Sequence, residues 1–515
     1  LHKSNFLRGA MILTLAGIVV KVLGGINRIL LSRLLGGEGI GLYQMAYPIY
    51  ILFLSIAGAG IPIAVSIMIA EKMAKGETAE AGRVFHIILA FMIPAAIGFG
   101  LLLAASAELF IHAGWVRDSR ALMPLLILSP ALTLSIIACC FRGYFQGLQQ
   151  MMPTAVSQMA DQAVRVCAML VFAMALMSHG IPAAATGAAA GAVPGAAIGL
   201  LIMLVFFWRH IRRQSVSGVV RDVTAGSVIK RLLALAIPVA AANMLLPAVA
   251  GIDLFIVPKQ LESAGYTVHE ATALFGYLSG MANGVIQLPA ILTMALATSL
   301  VPAVSAAFSN GKHAVIIQRV HTVMRIANVI TIPACCGLAV LAVPISRLLY
   351  ATPAAGAAIC VLSISVFLVG VQQITGALLQ GMGRTVIPLV NMAIGAGIKI
   401  FLSWHLTAVP ALGIVGAAWA TNAGLLAAAL LNLYFARRFV AYRIQGGQLA
   451  RIAVAAVSMA AAARGIYGLL YAHMGGTEVT MLAMVVGLVI YGIGLWGTKA
   501  VTRQDLGAIS FFRKT

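Results

Sequence analysis

Two cations stand inside the first apolar segment of the chain, LTLAGIVVKVLGGINRILLSRLLGGEGIG, and their spacing points to anion binding. On a helix turning about 100° per residue, Gly17, Lys21, Gly24 and Arg28 share one face, with Lys21 and Arg28 about 10 Å apart along the axis. Arg33 points elsewhere, near the outer end of the segment. A charge at the centre of a bilayer costs about 2.5–3.5 kcal/mol on insertion scales, so two on one glycine-bordered face suit a wet cavity that receives an anion. Snorkelling, or pairing with a neighbouring helix, is the structural alternative.

Other charges and amides recur in apolar surroundings. Asp253, in LLPAVAGIDLFIVPKQL, could answer the cations of the first span and act in gating or coupling; otherwise it is a helix-end carboxylate near Lys259. Asp161 and Arg165 are four residues apart, the spacing of a local ion pair with a structural role. Arg325 and Lys399 are further candidates for a polar cavity. Asn27 and Asn283, with Gln44, Asn243, Gln287, Gln372 and Gln373, could wet the same interior or bond helices together. Arg464 lies far enough along its span to snorkel to the outer surface.

The elements that must carry these residues are membrane helices. Of 515 residues, 62% are hydrophobic and 9% are charged, against about 25% charged in a soluble domain, and the mean hydropathy is +1.02. Apolar runs long enough to cross about 30 Å of hydrocarbon recur along the whole length and leave no room for an ordinary soluble domain. Despite a net charge of +21, the cations fall mostly in short loops between apolar runs, where they act as topology signals; nucleic-acid binding is excluded. The six cysteines lie in apolar segments without a CxxC or metal-type spacing, no histidine cluster suggests a metal, and no Walker motif marks an ATPase. Neither a catalytic residue nor a cofactor is expected. The Lys3 and Arg8 flank without an A-x-A pattern reads as an uncleaved first span.

About 14 spans centre near residues 20, 57, 97, 133, 165, 197, 245, 291, 330, 368, 396, 424, 460 and 488. With both termini cytoplasmic, the inner segments hold most of the 34 Lys and Arg residues, and the outer ones only Arg33, Arg117, Arg120, Lys259 and Arg347. The basic loop from Arg209 to Arg231 divides the chain near its middle. QGLQQMMPTAVSQMADQAVR, from Gln146, and QGMGRTVIPLVNMAIGAGIK, from Gln380, open alike and end on a cation; IPIAVS from Ile61 and VPAVS from Val301 form a second pair. A six-helix unit therefore occurs twice in parallel, giving an N-terminal lobe over 1–220, a C-terminal lobe over 221–436 and two extra helices over 437–515. Gly60 with Pro62, Pro247 with Gly251, and Pro289 are candidate helix breaks.

The opening FLRGAMILTLAGIVVKVLGGINRILLSRLLGGEGIGLYQMAYPIYILFLSIAGAGIPIAVS, the RGYFQGLQQMMPTAVSQ segment, and PKQLESAG followed by LPAILTMALATSLVPAVS resemble the stage V sporulation protein B family of polysaccharide-biosynthesis membrane proteins. The resemblance extends over nearly the whole chain. That family falls in the multidrug/oligosaccharidyl-lipid/polysaccharide exporter superfamily, so the resemblance implies an all-α polytopic protein with two six-helix lobes around a central cavity. The superfamily's lipid II flippases carry two further C-terminal helices and use arginines of span 1 to engage a diphosphate. Lys21 and Arg28, in KVLGGINR, occupy a similar stretch, but a lysine stands where an arginine is usual and the spacing is one residue longer.

The expected function is a flippase moving an undecaprenyl-diphosphate-linked wall precursor, lipid II-like and serving spore cortex peptidoglycan, across the bacterial cytoplasmic membrane by alternating access. Its partners are the lipid-linked glycan, the bilayer and, by context, cell-wall synthesis enzymes. Membrane potential, H⁺ or Na⁺ could drive it. Competing expectations are a flippase for another polyprenyl-linked polysaccharide, a cation-coupled multidrug antiporter and a non-transporting scaffold of a wall-synthesis complex. The antiporter needs intramembrane carboxylates, and only Asp161 and Asp253 stand against six cations.

Overall fold

The computed structural model describes residues 2–213, 224–473, 475–498 and 500, with side chains throughout except at 2–11, 14, 213, 242, 245, 246 and 250. Lys3, Arg8, part of the central basic loop and the basic C-terminal residues from Lys499 onward therefore lie outside the described side chains. Secondary structure is helical, without a strand among the described residues. The chain runs through α1 (His2–Gly58), α2 (Ile61–Ala74), α3 (Thr78–His112), a 3-10 turn (Ser119–Ala121), α4 (Leu122–Gly147), α5 (Met151–Leu176), α6 (Ile181–Ala190), α7 (Ala192–Arg213) and α8 (Ala225–Ser263). After α9 (Val268–Phe275) and a π-helical stretch (Gly276–Ala282) follow α10 (Asn283–Ser309), α11 (His313–Val340), α12 (Ala342–Tyr350) and α13 (Gly356–Gly381). The last are α14 (Val386–Leu406), α15 (Ile414–Val440), α16 (Gly446–Leu470) and α17 (Gly476–Gly497).

Helices dominate because a backbone in hydrocarbon must satisfy its own N–H and C=O groups. Among the described residues, 12 helical stretches are long and apolar enough to cross a membrane. The first, Leu15–Ala74, has 60 residues, enough for two crossings, and α8 adds a 39-residue helix, so the about 14 expected spans all find a helix. The boundary between the first two spans differs from expectation. Instead of an outer loop near Arg33, α1 continues through Gly36, whose φ of 66° kinks it. Glycine takes that backbone without a Cβ penalty, so the chain changes direction with no open loop. Of the expected breaks, Gly60 and Pro62 do separate α1 from α2, whereas Pro247 and Pro289 lie inside continuous helices.

Two compact units form. One comprises Leu1–Pro258 with Val268–Gly276, the other Lys259–Thr267 with Tyr277–Thr515. In the first, Phe85, Phe141, Tyr144 and Phe207 from α3, α4 and α7 pack edge and face. In the second, Leu300, Val304, Val320, Ile374, Leu378 and Leu379 lie in a core built from α10, α11 and α13. There α16 and α17 join α11 through Ala455, Ala456, Met459 and Tyr491, whose hydroxyl donates to the Val329 carbonyl at 2.8 Å.

The internal repeat has a structural counterpart. Gln149 and Gly383, at equivalent places in the two QG segments, both turn the chain with positive φ, 58° and 77°. A side chain at Gly147 would meet Ile69 Cβ at 2.8 Å and Ser66 O at 2.9 Å; one at Gly381 would meet Val304 Cβ at 2.7 Å and Val301 O at 2.8 Å. The same small-residue seam thus joins α4 to α2 and α13 to α10.

A longer seam holds α5. Gly187, Gly191, Gly195 and Gly199 recur every fourth residue along α6 and α7, and added side chains would strike Phe172 O at 2.5 Å, Met169 N at 2.4 Å, Arg165 Cβ at 2.7 Å and Asp161 Cβ at 3.1 Å. Small residues at i, i+4 let helix backbones approach closely in lipid, where van der Waals packing must do what hydrophobic collapse does in water. Gly191→Leu is expected to destabilise the detergent-solubilised protein by about 1–3 kcal/mol or prevent folding. Gly82→Ala, at an α3 position with open space around it, is expected to be neutral or to stabilise by up to about 1 kcal/mol, and thermal unfolding compares the two.

Candidate functional site

The first unit gathers cations and tyrosines around α1 and α5. Lys21 is exposed, Arg28 is half-buried and Asn27 is buried, its Nδ2 donating to Met169 Sδ at 3.3 Å. At Gly24 an added Cβ would lie 3.6 Å from Gln162 Nε2, so this glycine faces α5, while Gly17 has open space beside it. Arg33 is exposed and apart from that face. Beyond the kink, Tyr43, Tyr47 and Tyr50 follow one another along α1, with centroids 5.3 Å and 5.8 Å apart, and Tyr50 shares a hydrogen bond with Ser135 Oγ at 3.2 Å. Arg28 and Arg165 both act electrostatically on Tyr43 and Tyr47.

Arg165 forms the i, i+4 pair read from the sequence, donating to Asp161 Oδ1 from Nη2 at 2.9 Å and from Nε at 3.3 Å. The structure adds Arg142. Its Nη2 approaches Asp161 Oδ2 and Ser157 Oγ at 3.5 and 3.4 Å, and Ser157 donates to the Gly199 carbonyl at 2.9 Å. One carboxylate therefore lies between two guanidinium groups, and glycines 195 and 199 leave the room for it. Sequence spacing does not pair Arg142 with Asp161, 19 residues away; only the packing of α4 on α5 and α7 reveals its partner. The tyrosines at i, i+4 and i+7 were a legible signal of a shared face.

Asp253 is half-buried on α8 in the same unit. The candidates of the second unit are spread out. Asn283 begins α10 directly after the π-helical stretch. Arg325 faces a small cavity lined by His321, Asn328, Tyr442, Gln445 and Gln448. Lys399 packs on α15, its Cβ 2.8 Å from where a Gly424 Cβ would stand, much as Arg165 packs on Gly195; the place of Asp161 is taken by Gly395. Gln373 accepts from Thr293 at 2.7 Å and Gln372 Nε2 approaches Met392 Sδ at 3.7 Å, so these amides bond helices together. Lys259 stands 5.2 Å from the Trp404 ring centroid, a cation–π contact.

A second cluster, unseen in the sequence, lies around the α1 kink. Arg120 donates to Asp118 from Nε at 2.9 Å and Nη2 at 2.6 Å, and pairs with Glu38, which also meets His269 Nδ1 at 3.0 Å. Thr272 Oγ1 donates to Asp118 Oδ2 at 2.9 Å. The contact is close because Gly41 and Gly276 carry no side chains: a Cβ on either would come within 2.1 Å of Thr272 O or 2.0 Å of Gly37 O. So α9 docks on α1 through backbone, and the chain passes to the second unit at the adjoining π-helical stretch. Burial pushes the Asp118 carboxyl up, but hydrogen bonds from Arg120 and Thr272 outweigh this and hold it below the usual carboxylate range.

Such a helical scaffold, with ionic groups inside its spans and repeated six-helix patterning, belongs to the class of polytopic membrane transporters. The protein is a member of the polysaccharide biosynthesis protein family, which matches residues 6–308. It is 30% identical over 431 residues to stage V sporulation protein B of Bacillus subtilis (strain 168), covering 84% of this chain and 83% of that protein. It is 27% identical over 465 residues to the lipid II flippase MurJ of the same organism, covering 85% and 84%. Among solved structures, lipid II flippase MurJ in an inward closed conformation aligns with a TM-score of 0.71 at 14% identity, over 94% of this chain and 98% of that one. The fold is that of the exporter superfamily, and the protein is a flippase-like transporter.

Loss of the Asp118 anchor should be measurable. Asp118→Ala is expected to cost about 1–3 kcal/mol by removing charge-assisted hydrogen bonds. Because the folded carboxyl titrates below its ordinary value of about 3.9, its stabilisation is complete above that pH and is lost as pH falls through the lowered folded value. Thermal unfolding of wild type and variant should therefore converge in strong acid and differ most near neutrality.

Proposed function

We propose that the protein is a flippase for a polyprenyl-diphosphate-linked wall precursor, a lipid II-like molecule for spore cortex peptidoglycan, in the cytoplasmic membrane with both termini cytoplasmic. The observation that carries this reading is the charge balance inside the spans. Inside its spans the first unit carries Lys21, Arg28, Arg142 and Arg165 against Asp161, which Arg142 and Arg165 share, and Asp253, a cationic excess that favours an anionic cargo over a cationic drug. Arg28 would grip a diphosphate bidentately, and Lys21 would add a compact charge at the wetter end. The sugar head group would cross in this polar interior while the hydrocarbon tail stays in lipid. The relatives named as a sporulation protein and a lipid II flippase support the same substrate class.

Two six-helix lobes, 1–220 and 221–436, with two added helices, would alternate access by rocking. The α9 contact with α1 is a natural latch for such a cycle, with the π-helical stretch beside it as the hinge. Asp253 would bias the release step, through protonation, ion exchange or the membrane potential.

The decisive assay is translocation of labelled lipid II by the purified protein in liposomes, run beside an O-antigen-type polyprenyl lipid and a cationic dye. Lipid II transport is expected, and preferential transport of the dye would reject the reading. Lys21→Gln with Arg28→Gln should abolish transport while leaving membrane insertion and thermal stability near wild type; full activity in the double variant would remove these residues from the site. For Asp253→Asn, slowed turnover with unchanged substrate binding is expected, and unaltered rate and stability would leave it a helix-end carboxylate.

A further inference from the structure

At the ends of α11 and α16 remote from the basic α10–α11 and α15–α16 connections, the two helices border an open groove of about 640 Å³. Cys336, Ala339 and Val340 form one wall, Val457, Ala460 and Ala461 the other, and Arg464 stands at its end. The lining is apolar and shallow because the α16 side is built largely of alanine. Arg464 Nη1 reaches the Val340 carbonyl at 3.4 Å, which holds the guanidinium over the last turn of α11, where helix dipoles favour a cation.

A second cation converges on the same place from a different helix. Arg347, on α12, donates from Nη1 to the Tyr471 hydroxyl at 2.9 Å; Tyr467 lies against Tyr471 with ring centroids 5.2 Å apart and interacts electrostatically with both arginines. Neither Arg347 nor Arg464 has a carboxylate partner among the described residues. Snorkelling accounts for one arginine reaching water. It does not account for two, from separate helices, meeting around a tyrosine pair at the mouth of an apolar groove.

We propose that this groove is a binding site for an anionic phospholipid of the bilayer, with the phosphate between Arg347 and Arg464, the tyrosine hydroxyls at the head-group level, and one acyl chain laid along the alanines. Guanidinium groups suit phosphate oxygens in both charge and fork geometry, and tyrosines favour the membrane interface. From Val457 to Arg464 the groove extends about 10 Å by helix rise. That length receives the first part of an acyl chain and is far too short to enclose a polyprenyl tail. The site stands apart from the α1 cations and does not depend on which cargo is carried.

Native mass spectrometry of the delipidated, detergent-solubilised protein tests this, with phosphatidylglycerol and phosphatidylcholine of identical chains as probes. One tightly retained phosphatidylglycerol is expected, with phosphatidylcholine much weaker. Arg347→Gln with Arg464→Gln should weaken phosphatidylglycerol binding by about tenfold or more, and Arg464→Lys by less, since it keeps the charge but not the fork. Ala461→Trp, which fills the groove without touching a charge, should displace the lipid in a protein of wild-type thermal stability and carries the test if the double variant does not fold. Equal retention of the two lipids, or undiminished phosphatidylglycerol binding with the groove filled, overturns the proposal. Undecaprenyl phosphate displacing phosphatidylglycerol at equal concentration would assign the site to the cargo instead.

Discussion

The approach of α5 to the glycine seam of α6 and α7 is the constraint from which the polar interior of the first unit follows. Four glycines spaced by four bring backbone against backbone where any side chain would meet an atom within about 3 Å. Only at that distance can Asp161 sit beside Gly195 and Gly199 and still be reached by Arg142 from α4 and Arg165 from its own helix. Burying a carboxylate alone in hydrocarbon would be prohibitive; between two guanidinium groups and a hydroxyl-bearing neighbour its charge is met in place. The pair on α5 therefore depends on the shape of a helix that carries no charge near it.

Close backbone contact also organises a second polar cluster, at the α1 kink. At Gly41 and Gly276, α9 meets α1 through peptide groups and is tied by Asp118, Arg120, Glu38 and Thr272. Hydrogen bonds between small polar groups can be made and broken as a set, whereas interdigitated large side chains would need repacking. The residues on both sides of this short helix, 259–267 and 277 onward, belong to the second unit, so the chain crosses between the units on either side of it.

Helical class, multiple crossings and the duplicated QG segment were legible from residue types alone. Hydropathy and the cost of unpaired backbone in lipid leave few options, and the two repeats return the same turn at Gln149 and Gly383 and the same glycine contact at Gly147 and Gly381. The local Asp161–Arg165 pair was legible for the same reason, since helix geometry alone brings residues four apart together. Less visible was the continuity of α1, because LGGEGIG reads equally as a loop and as a kinked helix until neighbours hold it.

The sequence by itself determined a polytopic helical membrane protein, a family, an excess of intramembrane cations and the face that Lys21 and Arg28 share. Tertiary structure alone decided what the polar groups meet: Arg142 on Asp161, Asn27 on Met169, Arg120 between Asp118 and Glu38, Arg347 on the Tyr471 hydroxyl and Arg464 on the Val340 carbonyl. The physical reason is range. Helix formation and membrane insertion are set by neighbours within a few residues, whereas a buried charge is satisfied by partners from distant segments whose approach depends on small residues elsewhere in the chain.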